Sequence, residues 1–431
     1  MKPKKILFLE SLLRLMVVAV LKRHKPSIIA ITGSVGKTSA KDAIFQVLSS
    51  KFSVRENQKN YNNEIGIPLT IIGAESGGRN IFKWLLVIYK WAATLISSNY
   101  PKILVLELGV DRPGDMAHFM SFIVPMIGVV TNVSASHLEF FSTVEKIAKE
   151  KSVLVKSLNE TGFAVLNVDD ELVSQMEKNV KATTLTLGFN QGAAINASNL
   201  KYNYQENMPD GMSFKLNYDG KNIPIRLKNI LAGHYVYAAL AAVAAGIVFK
   251  MNLVEIAQSL ENLKSPNGRM NLLEGSNGSY IIDDTYNASP VSTSAALDTL
   301  FQLQTQRKIA VLGDMLELGS ESQTGHLEVL KKAFHLKIDL LLIIGKRMED
   351  AAKQLVIEGF PAEKIMTFAE HKEMVFALQD IVKQGDFILV KGSQGMRMEK
   401  VVAGILANPK DGKKLLCRQN REWRKKAYLT P

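Results

Sequence analysis

At 431 residues, with 47% hydrophobic and 22% charged residues, the chain is long enough for two or three domains with proper cores, and wholesale disorder is excluded. Its formal net charge of +12 points to an anionic surface or to anionic substrates, but no RNA- or DNA-binding pattern accompanies it, so nucleic acid is not expected as a partner. The one cysteine, Cys417, excludes an intrachain disulfide and fits a reducing, cytoplasmic compartment.

The first 27 residues hold an apolar run, Ile6 to Leu21, with a basic start. Glu10 and Arg14 interrupt it and no small-residue cleavage site follows, so it reads neither as a signal peptide nor as a membrane span. The expectation is an amphipathic helix on the cytoplasmic side. Pro26 punctuates, and the β-branched run Ile28 to Thr32 is a buried-strand signal. Then come Gly33, Ser34, Val35, Gly36, Lys37, Thr38 and Ser39, followed by a helical pattern with Ile44, Val47 and Leu48 on one face. Strand, glycine turn and helix give a phosphate-binding loop its context: backbone N–H groups converge on an anion at a helix N-terminus. Lys37 would reach the terminal phosphates, and the Thr38 hydroxyl would sit on Mg²⁺. The compact Gly-x-x-Gly-Lys-Thr-Ser spacing alone leaves a plain turn about as good a reading; the flanking strand and helix favour nucleotide.

The polar loop Lys59 to Pro68 carries Asn62 and Asn63, whose amides both donate and accept, which suits a substrate-facing loop. Composition alone favours a plain turn there. Residues 82–96 form a second apolar helix, with Lys83 and Lys90 on one stripe and Trp84 and Trp91 beside them. It has the make-up of an interfacial helix; packing on the protein's own surface or at a dimer contact are the alternatives. Ile103 to Leu108 is a buried strand ending in a carboxylate, Glu107, placed where α/β sheets bind ligands and able to hold Mg²⁺. The strand Met126–Val133 leads into a loop with Asn132 and His137; the preference of Mg²⁺ for oxygen counts against the histidine at this point.

The helix Lys146–Leu158 carries Lys149 and Lys151, for which a solvated face is the plain reading. From about 182 to 227 short alternating strands imply a small β-rich subregion, with turns expected at Pro209-Asp210-Gly211 and Asp219-Gly220. An Ala-rich buried helix, Gly233 to Phe249, precedes a hinge at Ser265–Met270. Beyond it, strands at 280–284, 308–312, 340–344, 364–367 and 387–391 alternate with helices. The expected fold class is therefore α/β. A central P-loop parallel-sheet ATPase domain over 28–265 precedes a Rossmann-like C-terminal domain over 266–431 with a basic tail.

Taken together these stretches resemble the Mur ligases, ATP-dependent amide-bond-forming enzymes of cell-wall synthesis. The resemblance rests on Thr32–Ser39, Asn62–Thr70, Leu106–Gly109 and Thr131–Val133 with His137–Glu139. It continues through Asn267–Met270, Asp283–Pro290, Val311–Gly319 and Val390–Ser393, and is strongest to the branch that adds D-Ala-D-Ala to a muramoyl tripeptide. It implies that ATP phosphorylates the acceptor's carboxylate and that an amine then attacks the acyl phosphate. By the same resemblance Glu107 and His137 hold the metal, and Lys151 (Lys149 as fallback) is a carbamylated metal ligand. Asn132, Arg269 and Asp284 contact nucleotide, and Lys391 and Ser393 join Asn62 and Asn63 at the substrate. Closure of the third domain over ATP would assemble the site.

Three departures accompany the resemblance. Only about twenty-seven residues precede the first strand, where the family holds the UDP end of its substrate. The 82–96 segment looks inserted. The family's Gly-x-His-Asn-x-x-Asn stretch stands here as Ala232 to Ala238 without either asparagine. The first two raise the expectation of a lipid-carried acceptor or a partner chain, with peripheral membrane contact through 6–21 and 82–96. Two further readings stand beside the leading one: a folylpolyglutamate-synthase-like ligase with another acceptor, and a non-catalytic nucleotide-binding scaffold at the membrane.

Overall fold

Pro26 follows a long N-terminal helix, α1 (Lys4–His24), and the β-branched run behind it forms β1 (Ser27–Thr32). The computed structural model describes residues 4–58, 61–78, 80–134, 138–206, 208–305, 307–420 and 423. After β1 come α2 (Lys37–Ser49), β2 (Val54–Glu56), α3 (Gly66–Ile72), α4 (Ile81–Ile96), β3 (Ile103–Glu107), β4 (Ile127–Val130), β5 (Phe163–Asn167) and β6 (Thr183–Gly188). Three longer strands follow, β7 (Ile195–Gln205), β8 (Met208–Tyr218) and β9 (Lys221–Lys228), and the sheet order is β2-β3-β1-β4-β5-β6-β7-β8-β9. The pairings from β2 through β6 are parallel.

β1 and β3 are buried on both faces, which is why they read as unbroken apolar runs rather than alternating ones. Ile28 and Ala30 share a core with Leu104, Leu106, with Leu13, Val17 and Val20 of α1, and with Ile67 and Ile71 of α3. Ile29 and Ile31 point to the opposite face, as the two-residue period of a strand requires. There α2 packs on β1, on β3 and on the Ala-rich helix Tyr235–Val248.

The chain divides into two compact units, one of Met1–Lys201, Ser213–Leu227 and His234–Leu263, the other of Tyr202–Met212, Lys228–Gly233 and Lys264–Pro431. The second unit carries β10 (Asn271–Glu274), β11 (Tyr280–Asp284), β12 (Lys308–Gly313), β13 (Leu340–Ile344), β14 (Ile365–Phe368) and β15 (Phe387–Lys391), in the order β10-β11-β15-β12-β13-β14. All are parallel except β10, a short edge strand antiparallel to β11 that the sequence reading did not expect.

Three local expectations are corrected. Pro209-Asp210-Gly211 is no turn: β8 runs through it, with Pro209 second in the strand and Gly211 at φ 102°. The turn expected at Asp219-Gly220 is there, both residues at positive φ between β8 and β9. Second, α1 is not cleanly amphipathic: Leu13, Val17 and Val20 are buried, but Phe8 and Leu15 on other faces are exposed. Third, Trp84 and Trp91 of α4 turn toward the protein. Trp84 Nε1 donates to Gly78 O at 3.1 Å and Trp91 Nε1 to Met16 O at 2.9 Å, so neither flanks the helix as an outward aromatic. Among the described residues no helix is long and apolar enough to cross a membrane.

Candidate active site

The loop Gly33–Gly36 lies at the C-terminal end of β1, the strand at which the sheet order reverses between β3 and β4. Ligands bind at such switch points because the loops leaving neighbouring strands diverge around a crevice. Glu107 ends β3, and Asn132 follows β4. The topology therefore gathers the expected loop, Glu107 and Asn132 at the C-terminal edge of one sheet.

Gly33 has φ 152°, and a Cβ there would fall 1.9 Å from Thr131 Oγ1 and 3.2 Å from Asn132 N. Gly36 is left-handed at φ 82° and precedes the first residue of α2, which has no side-chain cap. The glycines thus let the loop lie against Thr131–Asn132 and leave the α2 N-terminus to an anion. Asn132 shapes the loop: its Oδ1 accepts from Val35 N at 2.7 Å and its carbonyl from Ser34 N at 2.9 Å. Thr131 Oγ1 donates to Val35 O at 2.7 Å, and Ser34 Oγ exchanges hydrogen bonds with the Ser134 backbone. Replacing Gly33 by alanine is expected to destabilise the chain by about 2–3 kcal/mol through overpacking, read as a lower thermal midpoint.

Lys37 folds back over this loop, with Nζ 2.8 Å from Gly33 O and 3.3 Å from Ser34 O. Lys151, on the helix Val144–Lys156, reaches the same carbonyl from the other side, Nζ to Gly33 O 3.0 Å. It is only 2% exposed, whereas Lys149 faces solvent, so the two lysines weighed from sequence are separated by helix face. Burial first, and then the Lys37 charge, push the Lys151 ammonium down to about 7, against the pull of Asp111 and Glu150. Glu150, beside it in sequence, accepts from Gly114 N and Met116 N at the start of the helix Asp115–Met120.

Beyond Lys37 the next side chain, Thr38, donates through Oγ1 to Glu107 Oε2 at 2.9 Å. Asn62 Nδ2 donates to the other carboxylate oxygen at 3.1 Å. Ser39 is buried in the first turn of α2. Beneath the carboxylate, buried Asn57 clamps the Glu107 backbone: Glu107 N donates to Asn57 Oδ1 at 2.8 Å, and Asn57 Nδ2 to Glu107 O at 3.3 Å. Asn63, expected at the substrate, accepts through Oδ1 from Gly66 N at 2.8 Å and Ile65 N at 3.2 Å at the start of α3. His137 lies outside the described residues.

Hydroxyl and carboxylate oxygens, as Thr38 and Glu107 bring together, are hard donors of the kind that suits Mg²⁺. No group of three or more His, Cys, Asp or Glu side chains forms a metal cage among the described residues.

Sequence reasoning missed Asn57, Thr131 and Asp170, whose Oδ2 accepts from Val133 N at 2.8 Å and so steadies the loop after β4. Only Thr131 had a signal, as the neighbour of Asn132.

In the second unit, Asp284 and Lys391 end adjacent strands and are paired in register. Lys391 Nζ lies 2.5 Å from Asp284 Oδ2 and 2.8 Å from Asn287 O. Ser393 Oγ accepts from Leu316 N at 2.8 Å and donates to Ala288 O at 3.3 Å, tying two strand-end loops together. Arg269 places its guanidinium over the Tyr286 ring, 4.3 Å from the centroid. Asp283, next to Asp284, is fully buried, and burial pushes its carboxyl up to about 7, against two hydrogen bonds from Thr285.

The Mur ligase middle domain family model matches residues 85–246, and that of the Mur ligase, glutamate ligase domain matches 268–394. Over 385 residues the chain is 30% identical to the UDP-N-acetylmuramoyl-tripeptide--D-alanyl-D-alanine ligase of Bacillus subtilis, an alignment covering 89% of this chain and 76% of the relative. The chain belongs to the Mur ligase family. It is accordingly an ATP-dependent ligase that forms C–N bonds, which displaces the non-catalytic scaffold weighed from sequence. The Escherichia coli enzyme of the same name is 29% identical, over 88% of this chain and 77% of its own. Among solved structures, the MurF ligase of Thermotoga maritima in complex with ADP matches with a TM-score of 0.75 at 26% identity, over 94% of this chain and 84% of its own. The α/β architecture with its two parallel-dominated sheets is the Mur ligase fold.

Proposed function

We propose that this Mur ligase joins D-Ala-D-Ala, through its amine, to the C-terminal carboxylate of a muramoyl tripeptide, in the cytoplasmic stage of peptidoglycan synthesis. The names of its relatives support the substrate class. The observation that carries the chemistry is the cluster at one sheet edge, where Lys37 and Lys151 meet on Gly33 O and Thr38 meets Glu107.

A carboxylate oxygen of the acceptor attacks the γ-phosphorus, the bond to the β-γ bridging oxygen breaks, and ADP leaves. The incoming amine then attacks the acyl carbon, phosphate departs with the carboxylate oxygen, and the amine loses a proton. Lys37, already at the loop, neutralises the γ-phosphoryl oxygens as charge shifts between them. The α2 N-terminus and the loop N–H groups hold the remaining phosphate oxygens. Thr38 and Glu107, with His137 and a carbamylated Lys151, would hold Mg²⁺, and Asn62, which donates to Glu107, would face the substrate beside them. The metal would supply charge neutralisation between phosphate and carboxylate. Arg269, Asp284, Lys391 and Ser393 of the second unit belong to nucleotide and substrate in this reading.

Phosphate release tests it. Release should require both a muramoyl tripeptide and D-Ala-D-Ala, with a product of the condensed mass. EDTA should abolish it and added Mg²⁺ restore it. Release that ignores the acceptor, or a condensed product only with another amine, overturns the reading.

A further inference from the structure

The ligase chemistry leaves the most apolar surface of the first unit unused. In α4, only Val87 is buried, although the helix reads IFKWLLVIYKWAATLI. Phe82 is 76% exposed, Tyr89 69%, and Leu85 and Leu86 more than half. In α1, Phe8 and Leu15 are about 70% exposed, with the smaller exposure of Leu12 between them at helical spacing. The two helices are tied to each other: besides Trp91 to Met16, His24 Nε2 donates to Thr94 O at 2.8 Å. Their inward faces are satisfied by the core, so the outward side chains are not left over from poor packing. Contiguous apolar exposure of this kind marks an interaction site.

Charge identifies the partner. Among the described side chains, the exposed or half-exposed ionised ones on the two helices are Arg14, Lys22, Arg23, Lys83 and Lys90; the only carboxylate in either helix's sequence, Glu10, is buried. A second copy docking through the same face would set these cations against themselves, because a two-fold contact pairs a patch with its own image. An anionic lipid surface matches both the apolar side chains and their cationic surround.

We propose that α1 and α4 together form a peripheral docking surface for an anionic bilayer. They lie in the headgroup–acyl boundary, with Phe8, Leu15, Phe82, Leu85 and Tyr89 inserted and the lysines and arginines at headgroup level. Neither helix crosses the bilayer. The surface goes beyond the ligase reading and does not depend on which acceptor the site takes.

Flotation of the full chain with vesicles of phosphatidylcholine, with and without phosphatidylglycerol, tests this. Binding to the phosphatidylglycerol vesicles is expected, weakened at high salt by screening. A variant carrying Phe8→Ser, Leu15→Ser, Phe82→Ser and Leu85→Ser should lose it by about tenfold or more. Arg14→Glu with Lys83→Glu should lose the preference for phosphatidylglycerol. All six side chains are exposed and outside the catalytic cluster, so thermal midpoint and phosphate release with soluble substrates should stay as in the parent chain. A chain that stays out of both vesicle fractions, or floats equally well with the serine variant, overturns the proposal. So does a concentration-dependent dimer that the serine variant abolishes. Loss of turnover in the parent chain would instead overturn the ligase reading and leave the docking result standing.

Discussion

Lys37→Ala is expected to lower acceptor-dependent turnover about a thousandfold, with a much smaller change in apparent ATP affinity. Lys37 Nζ sits on Gly33 O and Ser34 O, so it is already held at the loop proposed to receive phosphate. Its charge matters most when the γ-phosphoryl group lies between ADP and the carboxylate, because the oxygens there have no other mobile cation from the loop. Interactions stronger in the transition state than in the bound state appear in kcat rather than KM. Alanine also removes a donor from Gly33 O, which keeps Lys151, and from Ser34 O, so a thermal melt belongs beside the kinetics: a midpoint close to the parent's assigns the loss to charge. A kcat within tenfold of the parent's would remove Lys37 from the chemistry.

Lys151 should show a different signature. With its ammonium pushed down to about 7, the side chain is charged below that pH and neutral above it. The neutral amine is the form that attacks CO₂, forming an N–C bond and releasing a proton, so carbamylation and turnover should rise together as pH passes through about 7. Exhaustive CO₂ removal should lower turnover and added bicarbonate restore it. Lys151→Arg, which stays charged, should lose about a hundredfold, as expected for a lost metal ligand. Lys151→Glu, with a carboxylate of its own, should recover part of that and no longer respond to bicarbonate. The same shift has a stability consequence. The unfolded chain keeps the proton up to the ordinary lysine range near 10.5, while the folded chain sheds it near 7. The unfolded state therefore binds more protons in that window, and this lysine makes the fold more stable as pH rises through it. Lys151→Met should flatten that slope. A bicarbonate-independent rate with an unchanged Lys151→Arg variant would contradict the assignment.

Much of the framework was legible in sequence because burial on both sheet faces leaves an unbroken apolar run, as in Ile28–Ile31 and Ile103–Leu106. Glycines whose conformation is required, Gly33 and Gly36, are legible for the same physical reason: few other residues fit there. What sequence could not supply is pairing across the fold. Asn57 looks like any loop asparagine until it clamps the backbone of Glu107, fifty residues away. Asn62 and Asn63 are identical and adjacent, yet one meets a carboxylate and the other accepts from the backbone at the start of α3. Asp283 and Asp284 likewise divide, one buried beside Thr285 and the other paired to Lys391. In α4, composition set the helix correctly but not its facing. Two backbone carbonyls, Gly78 O and Met16 O, turn the tryptophans toward the protein and leave Phe82, Leu85 and Tyr89 outside.

The central claim is that the acceptor's carboxylate is phosphorylated before the amide forms. A muramoyl tripeptide labelled with heavy oxygen in its C-terminal carboxylate, turned over with ATP and D-Ala-D-Ala, tests it by the mass of the phosphate released. The account predicts one heavy oxygen carried into each phosphate, with the remaining label in the amide carbonyl of the product. Unlabelled phosphate alongside a labelled product would contradict it.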